Sequence, residues 1–432
     1  MLKFIKIFFV MICISANLFS QDDWTIIGEM KSPVSSAAPV VYSNKIYLIG
    51  GYSSDLQQEV DWIQEYNPIN NTWKLVGSLS TERQGLVASL NGNNILAYGG
   101  STLSEDISSS LESISIQNNF VSSVISSHQN FNRMYSAGYL VDSSLFIIGG
   151  FSNNLNNNKK KNSVTDILPY ITEYNVPLDS FVYNYDSVYT DGIMPSMQMT
   201  ELVGDEIYLF GGVYSGILQS ISKFNIRTKH FEVLDTELLI PRAGGSAVYY
   251  SEFGKIFIIG GYHELNSALT SVEVFDIYNP ENATISWEPL SFGRKNPTAV
   301  YFDGGIYVFG GEDINGNVVK EIEFMSSTPT SVLDEKTIPF EYDILKNNYP
   351  NPFNPETNIE FSIINSGRIL LTVYSILGEK VVELVNENLD KGNYNVKWNG
   401  LDETGSSVPS GIYIYQLRTN NSVIIKKMTL LK

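Results

Sequence analysis

The chain contains very little cysteine and histidine. Among its 432 residues, Cys13 is the one cysteine, and the histidines are His128, His230 and His263. A single cysteine excludes an intrachain disulfide and a multi-cysteine metal site. The histidines lie far apart, and the chain has no HExxH motif, no GxSxG serine motif and no phosphate-binding glycine loop. The sequence therefore predicts no metal site and no cofactor site.

Positive charge and long apolar runs are also scarce. Lysine and arginine number 28 against 46 acidic residues, a formal net charge of −18, which argues against nucleic-acid binding. The one marked apolar run, "IFFVMICI", follows Lys3 and Lys6 and precedes small residues near Ser20. This pattern predicts a signal peptide over residues 1–20. No later run is long enough to predict a transmembrane segment.

A double glycine recurs through the first three quarters of the chain. The six copies, at intervals of 49 to 62 residues, begin at Gly50, Gly99, Gly149, Gly211, Gly260 and Gly310. Four apolar residues precede each copy, as in "IYLI" and "IFII", which predicts short strands buried on both faces. A repeat of this length built from short strands is typical of propeller blades.

The segment after the leader matches the end of a repeat. Its "DWTIIGEM" aligns with "TWKLVGSL" of the first repeat, so that Trp24, Gly28 and Met30 correspond to Trp73, Gly77 and Leu79. The sixth copy ends at "KEIEFMSSTPT" without a fourth strand. We therefore expect residues 22–31 to supply that strand and to close the ring, which would remove two exposed strand edges.

The segments that follow the double glycines resemble those of the kelch repeat family. An aromatic residue precedes Asn or Asp in four copies, and a tryptophan follows in two of them: Tyr66-Asn67, Tyr174-Asn175, Phe224-Asn225, Phe275-Asp276, Trp73 and Trp287. The resemblance covers residues 22–328. It implies an all-β, six-bladed kelch-type β-propeller whose last blade is closed by its N-terminal strand.

A second unit follows a segment rich in Ser, Thr and Pro, which predicts a linker over residues 329–344. Residues 345–432 resemble the type A C-terminal sorting domain of the type IX secretion system. The matching elements are "YPNPF" at 349–353, "VYSILGEKV", "WNG" at 398–400, "SGIY" at 410–413 and the final "KKMTLLK". The resemblance implies a small immunoglobulin-like β-sandwich. It also implies the type IX machinery as a partner and export to the cell surface or the medium.

Basic residues recur at a similar distance before the double glycines. Arg83, Arg133 and Arg294 stand sixteen residues before the first glycine of a pair, Arg242 stands eighteen before and Lys31 nineteen before. Because this position begins the innermost strand of each predicted blade, we expect the five side chains near one mouth of the central channel. Such a cationic ring would bind a carboxylate, sulfate or phosphate through paired hydrogen bonds.

The arginines also have a structural interpretation. They could pair with carboxylates or backbone carbonyls between blades, and Glu82 and Glu237 are near them in sequence. The two interpretations stay open at the level of sequence.

Three functional hypotheses follow. The first is a non-catalytic binding module for an extracellular glycan or protein, with an anionic ligand as one option. The second is a sugar-modifying enzyme, since some six-bladed kelch proteins are sialic acid mutarotases. Glu237 and Arg242 are the candidate catalytic residues for that activity. The third is an adhesin or a structural spacer.

Overall fold

A computed structural model describes two β-rich units. The described residues are 24–104, 106–152, 166–168, 170–185, 195–251, 253–264, 267–326, 344–345, 348, 350–363, 365–376, 378–419 and 423–431. The predicted signal peptide at 1–20 and nearly all of the predicted linker lie outside these residues. Within them no helix is long and apolar enough to cross a membrane.

Six antiparallel sheets of four strands form the first unit, and each sheet is one blade. From the innermost strand outward, blade 1 holds Ala38–Tyr42, Lys45–Ile49, Trp62–Asn67 and Thr72–Ser78, and blade 2 holds Val87–Asn91, Asn94–Tyr98, Ser110–Ser115 and Val121–Ser127. Blade 3 holds Ala137–Val141, Ser144–Ile148, Ile171–Asn175 and Ser180–Tyr185, and blade 4 holds Met199–Val203, Glu206–Phe210, Ser220–Asn225 and Phe231–Glu237. Blade 5 holds Ser246–Tyr250, Lys255–Ile259, Val272–Asp276 and Ile285–Trp287, and blade 6 holds Thr298–Phe302, Gly305–Phe309, Glu321–Ser326 and Thr25–Glu29.

The blades are arranged in a closed cycle. Each innermost strand lies beside the innermost strands of two neighbouring blades, so that the six enclose a central channel. The described residues of this unit also form two small hairpins and one short helix: Tyr52–Ser53 with Gln58–Glu59, Phe151–Ser152 with Asp166–Ile167, and the 3-10 helix Gln129–Phe131. The predicted all-β propeller is confirmed.

The strands that precede the double glycines lie second from the channel and form the core between blades. In five of these six strands, the first residue is half-buried and the four apolar residues that follow it are all buried. The glycines that follow adopt positive φ, and a Cβ on Gly310 would lie 1.8 Å from the Val34 carbonyl oxygen. Any larger residue would therefore push the neighbouring connector away.

The N-terminal strand completes blade 6. Thr25 lies opposite Phe324 and Glu29 opposite Glu321 in an antiparallel ladder. Trp24 packs into the cluster between blades 5 and 6 and donates its indole N–H to the Glu288 carbonyl oxygen at 2.9 Å. Met30 packs between blades 6 and 1. The strand thus joins both sides of the ring closure.

The second unit is a β-sandwich. One sheet holds Ile344–Leu345, Thr357–Ile363 and Gly392–Trp398, and the other holds Lys380–Leu389, Gly367–Ser375, Gly411–Arg418 and Val423–Leu430. Trp398 is nearly inaccessible between the sheets, with its ring 5.4 Å from that of Phe353. These are the Trp and Phe of the "WNG" and "YPNPF" elements.

Candidate binding site

The four arginines lie in the connectors that lead into blades 2, 3, 5 and 6, and all are completely buried. Each donates from Nη1 to the carbonyl oxygen of the first glycine of its own blade's pair, at 2.8–3.1 Å: Arg83 to Gly99, Arg133 to Gly149, Arg242 to Gly260 and Arg294 to Gly310. A guanidinium with no accessible surface cannot contact an external ligand unless the blades separate.

Three of these arginines also pair with a glutamate on the third strand of the same blade. Nη2 of Arg242 lies 2.6 Å from Glu273, and Nη2 of Arg294 lies 2.9 Å from Glu323. Arg83 pairs in the same way with Glu112. Burial lowers the pKa of Arg83 and of Arg294, and the paired carboxylates oppose this shift. We call each such pair a clamp.

The glutamates also bind the connectors between blades. Glu273 accepts the backbone N–H of Leu239 at 2.7 Å, and Glu323 accepts that of Ser291 at 2.6 Å. Each clamp therefore joins its blade to the end of the preceding one. The glutamates come from the third strands, whereas the sequence suggested Glu82 and Glu237 as counter-charges.

The exceptions follow the same logic. Blade 1 has Val34 in place of the arginine and Gln64 in place of the glutamate, and blade 4 has Pro195 and Ser222. In blade 3, Arg133 donates to Thr172 Oγ1 at 2.5 Å and lies 4.9 Å from the centre of the Tyr170 ring. Blades without the arginine thus also lack the glutamate. This geometry favours the structural interpretation of the arginines.

Lys31 is not equivalent to the arginines. It is exposed and lies three residues before Val34, whose carbonyl oxygen packs on Gly310 as the Arg133 carbonyl packs on Gly99. The spacing of nineteen residues in the first repeat placed Lys31 in the predicted ring. The structure instead leaves it outside.

A different ring surrounds the channel mouth, two residues beyond each arginine position. Its six members all have φ between 50° and 62°, and we call them the hub ring: Ser36, Gly85, Tyr135, Met197, Gly244 and Asn296. Each donates its backbone N–H to the carbonyl oxygen of the preceding member, at 2.7–3.2 Å, and Ser36 closes the circle by donating to Asn296. The hub ring therefore links all six blades through backbone bonds alone.

Two bulky residues occupy strained positions in the hub ring. Left-handed backbone is favourable for glycine and unusual for large side chains, yet Tyr135 and Met197 adopt φ of 52° and 54°. The two glycines make room for these side chains. A Cβ on Gly85 would lie 3.0 Å from the Tyr135 ring, and one on Gly244 would lie 3.1 Å from Met197 Cε.

A cavity of about 130 Å³ opens at the hub ring. Its lining includes Tyr135, Met197, Asn296, Ser36 and Gln198, and none of its described lining residues is charged. The cavity therefore presents an aromatic ring, a thioether, amides and a hydroxyl.

Two carboxylates accept hydrogen bonds from residues that adjoin the cavity lining in sequence. Glu312 accepts from Ser35 Oγ at 2.8 Å, and Glu59 accepts from Gln84 Nε2 at 3.2 Å. Burial, together with these carboxylates, raises the pKa of Tyr135 to about 12. The phenol therefore remains neutral at physiological pH.

Comparison with protein families finds a match in each unit. A profile of the kelch motif matches residues 33–80, and a profile described as a secretion system C-terminal sorting domain matches residues 347–430. The chain is a kelch-repeat protein with a secretion sorting domain. The sorting domain directs type IX export to the cell surface or the extracellular space.

Curated relatives match only parts of this kelch-repeat protein. Alpha-scruin of Limulus polyphemus is 28% identical over 31% of this chain and 15% of its own length. Kelch repeat protein M-T8 of Myxoma virus is 30% identical over 19% of this chain and 16% of its own. Mouse Kelch-like protein 13 is 37% identical over 16% of this chain and 10% of its own. The chain thus spans a small part of each relative.

A solved structure of YjhT superposes on the kelch propeller with a TM-score of 0.59. The match covers 71% of this chain and 98% of that one, at 13% sequence identity. At this identity the likeness shows the shared fold and nothing about activity.

The catalytic candidates of the kelch-repeat protein do not form one site. Arg242 is buried in its clamp, whereas Glu237 ends the outermost strand of blade 4. There Glu237 accepts a hydrogen bond from Gln219 and lies 2.6 Å from Lys426 Nζ of the sorting domain. His263 contacts the Pro241 carbonyl oxygen at 2.9 Å, and no group of residues suited to a metal occurs in the described part of the chain.

Glu201 is a carboxyl that sequence reasoning missed. It lies on the innermost strand of blade 4, partly buried, at a position that Val40 and Val248 occupy in other blades. Burial raises its pKa to about 8, although the Tyr249 backbone N–H acts in the opposite direction. No motif surrounds Glu201, so only alignment of the innermost strands could have singled it out.

Proposed function

We propose that this kelch-repeat protein is an exported, non-catalytic binding module that holds an extracellular glycan or protein at the mouth cavity. The observation that carries the proposal is the convergence of uncharged polar and aromatic side chains at the hub ring. Concave sites lined by aromatic groups and a few directed polar groups are typical of ligand binding. The closed circle of backbone hydrogen bonds holds these groups in place.

The chemistry of the cavity supports binding over catalysis. Tyr135 has a pKa near 12, and the other described residues that line the cavity carry no titratable side chain. General acid–base chemistry at neutral pH calls for a group that exchanges protons near that pH. The cavity therefore offers contacts and no proton donor or acceptor of suitable strength.

The structure removes the reason to expect an anionic ligand. The expected cationic ring consists of four arginines without accessible surface and one lysine outside the ring. Glu59 and Glu312 near the cavity add negative charge, which disfavours a carboxylate or sulfate there. An anion-binding ring is therefore not part of the proposed site.

The experiment combines a glycan array with titration calorimetry on the full chain. We expect Asn296→Asp to weaken binding, because it introduces a charge into an uncharged cavity. Aspartate tolerates left-handed backbone, so the hub ring should persist. Asn119→Asp is the matched control, because Asn119 has φ of 51° in a turn of blade 2. Equal affinities for the two variants and the wild type would contradict the assignment of the site.

A sugar-modifying enzyme of the sialic acid mutarotase type is a second candidate, and Glu201 is the observation in its favour. A carboxyl with a pKa near 8 is suited to exchange protons at neutral pH. NMR would show faster anomer exchange of N-acetylneuraminate with the wild type, and its loss in Glu201→Gln. An unchanged exchange rate with the wild type would remove this candidate. No ligand and no activity would leave the spacer or adhesin role.

A further inference from the structure

We propose that the mouth cavity binds the terminal ring of a neutral carbohydrate, which stacks on Tyr135, and that Tyr135 is a specificity-determining residue. This inference deepens the proposed function and depends on it.

The hub ring has no need of a tyrosine. Its hydrogen bonds use only backbone N–H and carbonyl groups, and glycine occupies two of the six equivalent positions. A tyrosine with φ of 52° is strained relative to glycine. Strained residues that persist in a fold concentrate at functional sites. The presence of tyrosine at position 135 is therefore better explained by a role of its side chain than by the backbone conformation.

The surroundings of Tyr135 supply little compensation for that strain. Its hydroxyl lies 3.5 Å from both Ser36 Oγ and Gln84 Oε1, a distance at the limit of a hydrogen bond. One side of the ring approaches Gly85, while Tyr135 stays partly exposed and lines the cavity. An aromatic surface is thus available to a ligand.

The other lining groups select the ligand class. Gln198 and Asn296 each carry an amide donor and acceptor, and Ser36 carries a hydroxyl. Sugar hydroxyls both donate and accept hydrogen bonds, and the C–H face of a sugar ring is apolar enough to pack on an aromatic ring. No described lining residue carries a charge that would select a sialylated, uronic or sulfated sugar.

The size of the cavity indicates how much of the glycan enters. Sites for drug-sized ligands usually measure about 300–1,000 Å³, whereas this cavity measures about 130 Å³. A single terminal ring is a suitable occupant, with the remainder of the chain outside. A basic peptide would gain only longer-range attraction, because Glu59 and Glu312 do not line the cavity and each already accepts a side-chain hydrogen bond.

The test compares variants of the full chain on neutral, sialylated, uronic and sulfated glycans and on a Lys/Arg-rich peptide. We expect Tyr135→Asn to weaken binding of neutral glycans about tenfold, the loss of one aromatic contact. Its melting temperature should not fall, because Asn296 occupies the equivalent position with φ of 50°. Tyr135→Phe should retain binding. Tyr278→Asn, at an exposed turn, is the control.

The outcomes separate this inference from the proposed function. Preference for anionic glycans or for the basic peptide overturns the neutral-sugar assignment. If Asn296→Asp abolishes neutral-glycan binding but Tyr135→Asn does not, the site stands and the stacking role falls. If Tyr135→Asn and Tyr135→Gly both lower the melting temperature and leave binding intact, Tyr135 is only a packing residue. If neither glycan nor peptide binds, the proposed function fails as well.

Discussion

The ring closure leads to a quantitative prediction for Trp24→Ala. Trp24 is 8% exposed between blades 5 and 6 and donates a hydrogen bond at 2.9 Å to the Glu288 carbonyl oxygen. Truncation of a buried tryptophan costs about 3–5 kcal/mol, which includes the cavity that remains. At about 2 °C per kcal/mol for a large domain, the melting temperature should fall by about 8 °C. Trp73→Ala, at the equivalent but half-buried position of blade 1, should cost less.

Stability alone would not separate closure from ordinary packing, so a disulfide supplies the second arm. Glu29 and Glu321 are directly opposed in the ladder, and opposed residues have Cα atoms within disulfide reach. In a Cys13-free chain, Glu29→Cys with Glu321→Cys should crosslink on oxidation. The crosslink should restore the melting temperature of Trp24→Ala, since it closes a very long loop.

The control pair is Glu29→Cys with Lys74→Cys, because Lys74 lies in the outermost strand of blade 1 and not opposite Glu29. Differential scanning fluorimetry with and without reductant, together with mass mapping of the crosslink, gives the readout. The closure argument would be refuted if the control pair crosslinks as efficiently as the opposed pair. A Trp24→Ala melting temperature equal to that of the wild type would refute it as well.

Two further predictions concern buried charge. Glu323→Gln should destabilise the propeller by about 3–5 kcal/mol in denaturant unfolding, because it leaves the buried Arg294 without its anion. The control Glu356→Gln, in an exposed ion pair, should cost less than about 1 kcal/mol. Similar costs for the two variants would contradict the role of the clamp. Glu201→Gln should remove a pH dependence. The folded state holds the Glu201 proton up to about pH 8 and the unfolded state releases it near 4.5, so wild-type stability should fall as pH rises between these values, by up to about 5 kcal/mol. Melting curves from pH 5 to 9 should therefore decline less in the variant, and parallel curves would refute the shift.

Much of the fold could be predicted because each repeat contains short sequence patterns that indicate local structure. Each double glycine follows a fully apolar strand, and six copies in register specify the number of blades without knowledge of long-range contacts. The sorting domain was equally accessible, since its "YPNPF" and "WNG" elements occur in order along a short segment.

The site was harder, because its partners are distant in sequence. Arg294 stands near its glycine pair as expected, but Glu323, which neutralises it, lies 29 residues away on the third strand. Periodicity reports where an arginine lies and not whether it is buried. Two residues past the arginine position, Gly85, Gly244 and Asn296 are residue types that commonly adopt left-handed backbone. Tyr135 and Met197 are not, so their sequence gives no sign of the same conformation.

The hub ring also affects how this protein could diversify. Every hub-ring residue donates its backbone N–H to the preceding member and accepts a hydrogen bond from the next member at its carbonyl oxygen, so a blade could shift outward only by breaking two hydrogen bonds at once. The length of sequence between hairpin strands varies while these bonds stay the same: thirteen residues separate Ser152 from Asp166 in blade 3, and four separate Ser53 from Gln58 in blade 1. Loops around the mouth could therefore be exchanged for new specificities while the hub ring stays the same.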